Sequence, residues 1–239
     1  MPQEGDICRS RAVQEMFSAI AGRYDFLNHF LSLNIDRYWR RACLREVEKR
    51  LLVPMARVLD IGCGTGDLAL ELASLGPVFG CDFSHPMLRI GTEKVARTPR
   101  PYPVYMMEGD ALALPFAEGT FDVVVSAFVL RNLADIQRGL EEMKRVLKPG
   151  GVLGILDFGM PRMPVLGSLY LFYFTRILPR LGKIVSGVDG AYQYLPDSVR
   201  LFPPAEELGR ILSGVGFSGV QFRLLTFGVA VLFLAKAPE

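Results

Sequence analysis

The rhythm of apolar and polar positions changes near Ala56. Before it the pattern is helical. Val13–Ala21 and Asp36–Leu52 carry apolar residues at three- and four-residue spacing, with Asp36 placed as an N-cap. The mixed stretch between them, Tyr24 to Asn34, reads as a connector. From Ala56 onward, short apolar runs alternate with helical periodicity. Arg57–Ile61, Val78–Cys81, Val104–Met107, Phe121–Ala127 and Val152–Phe158 read as strands, and Asp67–Leu75, Pro86–Ala96 and Asp135–Leu147 as helices between them. Strands joined by crossover helices imply a mostly parallel, doubly wound α/β sheet. A Pro- and aromatic-rich insertion fills about 159–201. After it, Pro204–Val215 predicts a helix, and Gly219–Leu225 with Gly228–Lys236 predicts a hairpin that adds an antiparallel edge.

Composition then removes whole classes of function. Half of the 239 residues are hydrophobic, and the mean hydropathy is +0.27, which is incompatible with a disordered chain. With 27 basic and 25 acidic residues, the net charge of +2 does not suggest a nucleic-acid partner. The longest uncharged runs, Met163–Thr175 and Leu224–Ala235, fall short of the roughly 20 residues of a membrane-spanning helix. The four cysteines form no C-x-x-C pair, and the two histidines are His29 and His85. Those counts argue against a disulfide framework and a zinc site. The polar start carries no apolar signal core, so a reducing cytoplasm is the expected location.

The candidate chemistry begins at Arg57-Val-Leu-Asp60-Ile-Gly62-Cys-Gly64-Thr65-Gly66-Asp67, a strand, a glycine turn and a helix start. Glycines let the backbone turn tightly and approach a ligand, and the helix that follows offers free N–H groups. The spacing is G-x-G-x-G rather than the G-x-G-x-x-G of dinucleotide sites. Asp60 is expected to face the ligand, where a carboxylate repels a pyrophosphate and favours a cation. Asp82 closes the second strand, where an acid accepts from both ribose hydroxyls. Asp110 closes the third, placed for an adenine amino group. Any one of these acids reads equally well as a cap or turn residue. Three at successive strand ends point to a positively charged nucleoside without phosphate, S-adenosylmethionine. Cys63 and His85 read as loop and turn residues.

The whole chain resembles the class I S-adenosylmethionine methyltransferases, and among them the UbiE-type ubiquinone/menaquinone biosynthesis C-methyltransferases. Tyr24-Asp-Phe-Leu-Asn-His-Phe-Leu-Ser-Leu-Asn-Ile-Asp-Arg-Tyr-Trp39 is similar to that family's first motif. Arg145-Val-Leu-Lys-Pro-Gly-Gly-Val-Leu-Gly-Ile-Leu-Asp-Phe158 is similar to its second. Ser126-Ala-Phe-Val-Leu-Arg131-Asn132 and Tyr192-Gln-Tyr194 through Arg200 sit where the family has comparable segments. The chain departs from the family at Leu27 and Asp36, where Met and His are usual, and at Asp157 and Gly159, where Glu and Ser are.

The resemblance implies a Rossmann-like class I methyltransferase fold, with residues 1–55 as a helical cap and the insertion as a lid. It matches Thr65, Asp82, Asp110, Ala111 and Ser126 to cofactor-binding positions. Asp60, Gly62, Gly64, Gly66, Phe83 and Met87 complete the candidate cofactor set. The implied reaction moves a methyl group to a ring carbon of a prenylated quinol, demethylmenaquinol or a polyprenyl benzoquinol, releases S-adenosylhomocysteine and needs no metal. A quinol carbon becomes nucleophilic when the neighbouring hydroxyl, with a phenol's pKa near 10, gives up its proton. Arg131 leads the catalytic candidates, as a permanent cation beside the sulfonium that stabilises the oxyanion or positions a proton-removing water. Asn132 is placed for a ring oxygen and Tyr24 to close the site. Asp25, Asn28, Tyr192 and Tyr194 are the substrate-binding candidates.

The expected partners are the lipophilic quinol, a bilayer touched peripherally through 161–181, and a second copy of the chain; nucleic acid is not expected. Three rival readings are a methyltransferase of the same frame acting on another phenolic or polyketide metabolite, a nicotinamide dehydrogenase, and a non-catalytic cofactor-binding assembly subunit.

Overall fold

The computed structural model describes residues 14–16, 18–161, 172, 173, 176 and 194–239. Seven strands, Val58–Ile61 (β1), Val78–Asp82 (β2), Val104–Glu108 (β3), Phe121–Ala127 (β4), Leu147–Phe158 (β5), Ser218–Leu225 (β6) and Ala230–Lys236 (β7), form one sheet in the order β3-β2-β1-β4-β5-β7-β6. β7 runs antiparallel to both neighbours, and the other pairings are parallel, as the sequence predicts. The helices are Tyr24–Leu31 (α1), Ile35–Glu48 (α2), Asp67–Leu72 (α3), His85–Arg97 (α4), Ile136–Val146 (α5), Tyr194–Leu201 (α6) and Ala205–Val215 (α7).

Both faces of the inner strands are covered, which is why β1, β4, β7 and most of β5 read as apolar runs, whereas the edge strand β3 is partly and β6 largely exposed. On one face Trp39, Cys43 and Val47 of α2, Leu72 of α3 and Val95 of α4 pack on Val58, Val123 and Val125. On the other, Leu140 and Met143 of α5 and Leu208 and Leu212 of α7 pack on Leu59, Val124 and Ile155. The strand order reverses between β1 and β4, and the crevice outside their carboxyl ends is where doubly wound sheets bind ligands.

Several boundaries differ from the sequence reading. The Tyr24–Asn34 connector is mostly helix, α1. Among its described side chains Asp25 and His29 meet the protein while Phe26 and Phe30 face water. Asp36 is not an N-cap. Asn34, at φ 62°, precedes the helix, and the Asp36 carboxylate instead accepts from Ser32 Oγ at 2.7 Å and Arg40 Nη1 at 2.6 Å. Asp135 caps α5 from outside it, accepting from the Arg138 N–H at 2.9 Å. β5 begins five residues before Val152, at Leu147, carrying the Lys-Pro-Gly-Gly turn signal inside a strand whose pairing with β4 shifts register between Phe121 and Val123. Most of the 161–181 insertion, with Tyr192 and the Tyr194 side chain, lies outside the described residues.

Candidate active site

The loop after β1 is bent by three glycines with positive φ, Gly62 at 66°, Gly64 at 54° and Gly66 at 83°. At Gly62 a side chain is barred twice, since a Cβ would also stand 2.2 Å from Val129 Cγ2. The loop is stitched to β2 by the Gly62 and Cys63 N–H groups, which donate to the Cys81 carbonyl at 2.7 and 3.2 Å. At Gly64 only Tyr24 Cε1, 3.9 Å away, comes near an added Cβ. That leaves the loop surface open to a ligand.

Asp82 anchors this cradle from β2. Its Oδ2 accepts the Gly64 N–H and its Oδ1 the Ser84 N–H, both at 2.8 Å. Burial raises its pKa, opposed by those backbone donors and that of Phe83. Phe83 is half-buried and Met87 is buried in the first turn of α4. The Ser126 hydroxyl, buried at the end of β4, donates to the Ile61 carbonyl at 3.2 Å. Asp110 is exposed at the far rim, with its Oδ1 accepting the Leu112 N–H at 2.9 Å and half-buried Ala111 beside it.

Asp60 departs from its expected place. It is 1% exposed, close to Cys43 of α2 and to Asp82, not presented to an open cleft. Burial, then the Asp82 charge, pushes its pKa up to about 8, against the Ala69 N–H and Arg40. Its Oδ2 has no partner among the described residues. A buried carboxylate oxygen without a donor is costly, which is why the group keeps its proton in the fold.

The cap closes over the loop from the amino-terminal side. Asp25 accepts from the Thr65 hydroxyl and from Lys94 Nζ of α4. Lys94 also donates to Asp67 at 2.7 Å and to Thr65 Oγ1 at 3.3 Å. Its burial favours the neutral amine, yet the two carboxylates outweigh that and raise its pKa. Behind them, His29 lies 2.8 Å from Asp36 and 3.5 Å from Asp67, and Arg40 spans Asp36, Asp67 and Glu71 at 2.6, 3.4 and 3.3 Å. Ahead of α1, Gln14 donates to the Phe83 carbonyl at 2.5 Å and Ser18 meets Ser84 at 3.1 Å. Tyr24 has its pKa raised by burial, with Asn28 and the Arg131 charge pulling the other way. Tyr24, Asp25 and Asn28 thus belong to one wall.

Arg131 is the main revision. It is not a free cation but is 6% exposed, with Nη1 donating to Asp157 Oδ1 at 2.7 Å and to the Phe128 carbonyl at 2.6 Å. Its guanidinium lies over the Phe158 ring, 5.0 Å from the centroid. Its Nε has no described partner. Asn132 donates to the same Phe128 carbonyl at 3.3 Å, and Phe128 takes a φ of 62°. The sequence reading missed Lys94, Asp67 and Asp157 as site residues. Asp157 had a signal, since an acid at the end of the apolar run Val152–Leu156 has to find a cation once buried.

The demethylmenaquinone methyltransferase of Thermus thermophilus is 47% identical over 226 residues, 93% of this chain and 100% of that protein. That of Deinococcus radiodurans is 44% identical over 229 residues, 95% of this chain and 92% of its own. The crystal structure of an S-adenosylmethionine-dependent methyltransferase from Thermotoga maritima superimposes with a TM-score of 0.64, at 22% identity, covering 94% of this chain and 99% of that one, which shows the shared fold. The pattern of the ubiE/COQ5 methyltransferase family matches residues 6–236, and the chain belongs to that family.

Proposed function

We propose that the chain is an S-adenosylmethionine-dependent C-methyltransferase that converts demethylmenaquinol to menaquinol. One observation carries the reading. At the β1/β4 switch point Tyr24 of the cap lies against the glycine cradle, its Cε1 3.9 Å from where a Gly64 Cβ would stand, and feels the charges of both Asp82, which holds the cradle, and Arg131. The residues fit the cofactor. Gly64 leaves open surface, and Asp82 fixes the cradle beside it through the backbone N–H groups of Ser84, Gly64 and Phe83. Asp82 and Asp110 would hold the nucleoside, with Thr65, Phe83, Met87, Ala111 and Ser126 around it. When bound, the cofactor supplies an electrophilic methyl group on a sulfonium.

The chain's own task is to make the ring carbon nucleophilic. Arg131 keeps its charge because Asp157 compensates it. With Nη1 committed to Asp157 and Phe128 and Nε buried, the guanidinium acts as a fixed positive charge that stabilises negative charge as it develops on a quinol oxygen. Tyr24 stays protonated at neutral pH, since burial raises its pKa, and so acts as a donor rather than a base. Asp25, held by Thr65 and Lys94, fixes the cap over the reactants and limits water.

The test is methyl transfer from labelled cofactor to chemically reduced demethylmenaquinone. A labelled menaquinol supports the reading. Cofactor binding without methylation of either naphtho- or benzoquinols leaves the assembly-subunit reading standing instead, and tight binding of NAD in place of S-adenosylhomocysteine defeats the cofactor assignment.

A further inference from the structure

Helix α1 presents two phenylalanines to solvent. Its polar residues Asp25 and His29 turn toward the glycine loop and α2, while Phe26 is 60% and Phe30 46% exposed, their rings stacked with centroids 5.7 Å apart. The apolar surface continues past the helix. Leu33 is 76% exposed in the following turn and Tyr38 50% exposed in the first turns of α2. The Trp39 indole N–H donates to Thr226 Oγ1 at 2.8 Å, which fastens the turn carrying Phe227, 64% exposed, to that same end of α2. That turn leads into Ala230, which pairs with Phe158 at the carboxyl end of β5, so it borders the end of the sheet where the site opens. Arg37, Arg41 and Arg45 follow at four-residue spacing on the exposed side of α2.

We propose that this aromatic rim, Phe26, Phe30, Leu33, Tyr38 and Phe227, with the arginine stripe beside it, docks on an anionic phospholipid bilayer. Exposed aromatic and leucine side chains in one patch indicate a partner other than water. Phenylalanine and leucine enter the acyl boundary, and arginines at its edge meet lipid phosphates. Charge selects this occupant over a second copy of the chain. A two-fold contact through the rim brings one arginine stripe against its equivalent, whereas an anionic surface neutralises it. The inference rests on the prenylated-quinol reading for its purpose: docking sets the mouth of the site at the depth where such a substrate resides.

The test is co-sedimentation of the full chain with vesicles of equal parts phosphatidylglycerol and phosphatidylcholine. Wild type is expected to sediment with them and to lose most binding on pure phosphatidylcholine or in high salt. Phe26→Ser/Phe30→Ser should weaken binding by about tenfold or more, given the transfer energy of two phenylalanines. Arg37→Gln/Arg41→Gln should weaken it and flatten its salt dependence. Both variants should methylate a tail-less demethylnaphthoquinol in solution as wild type does, which shows that they are folded. Vesicle binding by the variants equal to wild type overturns the proposal, as does absence of wild-type binding. A dimer that Phe26→Ser/Phe30→Ser dissociates, with vesicle binding unchanged, assigns the rim to self-association instead. Failure of wild type on the tail-less quinol, with vesicle binding intact, counts against the substrate reading alone.

Discussion

The Arg131 guanidinium and the Asp157 carboxylate form an ion pair at 2.7 Å in which the arginine side chain is 5% exposed and the aspartate 0%. Asp157 also accepts the backbone N–H groups of Phe158 at 2.8 Å and Arg131 at 3.3 Å, so a single carboxylate fixes both the cation and the turn that presents it. Removing one member of a buried pair costs about 3–5 kcal/mol, because the other charge is left in a poor solvent. We expect Asp157→Asn to lower unfolding stability by that order in urea titration, and to lower kcat while the S-adenosylhomocysteine Kd changes little. Asp157→Glu should recover part of both. Arg131→Ala should abolish turnover with cofactor affinity retained; parallel loss of both would reduce Arg131 to a structural role.

Lys94 joins the cap to the body through Asp25 and Asp67. Lys94→Met removes the cation from Asp25, while Asp67 keeps Arg40 at 3.4 Å. Half-exposed pairs are worth on the order of 1 kcal/mol. We therefore expect about a threefold to tenfold rise in cofactor Kd by calorimetry and faster proteolysis within 14–31, with the sheet core's hydrogen-exchange protection unchanged.

Gly62→Ala tests the tightest point of the loop. A side chain at φ 66° costs about 1–2 kcal/mol, and the 2.2 Å approach to Val129 adds overpacking of about 1–3 kcal/mol. Thermal unfolding should show a large drop in Tm. Gly62→Ala/Val129→Ala should regain the overpacking part but not the backbone part, so recovery to wild type would refute the conformational argument.

Asp60 gives a pH dependence with a definite sign. In the unfolded chain it titrates near 4, and in the fold near 8 because of burial. The folded state then binds the extra proton. The contribution of this group is fully present below about pH 4 and is lost as pH rises toward 8, with no further change above. Asp60→Asn should remove that slope, so its stability relative to wild type should grow between pH 5 and 8.

Much of the fold was legible in the chain. Apolar runs of strand length, separated by helical periodicity, located six of the seven described strands to within two residues and the seventh, β5, with a start five residues late. The glycine spacing and Asp82 marked the cradle, because a φ above zero and an acceptor at a strand end leave local traces. The connector from Tyr24 was misread because Asp25 and His29 of α1 are turned to charged partners on other elements while Phe26 and Phe30 face water, a mixture that local periodicity does not explain. Asp60 was misjudged for a related reason: its place before the turn was visible, but not the burial beneath α2 that keeps it from open solvent.

By itself, then, the sequence determined the order and type of elements and the chemistry of the glycine loop, since both depend on neighbours within a few residues. The tertiary structure alone decided which charges meet. Arg131 finds Asp157 across 26 residues, Thr65 finds Asp25 across 40, and Lys94 finds Asp25 across 69. Ionic groups attract any opposite charge, so no local pattern names their partner. Only the packing that shuts out water selects one pair from many.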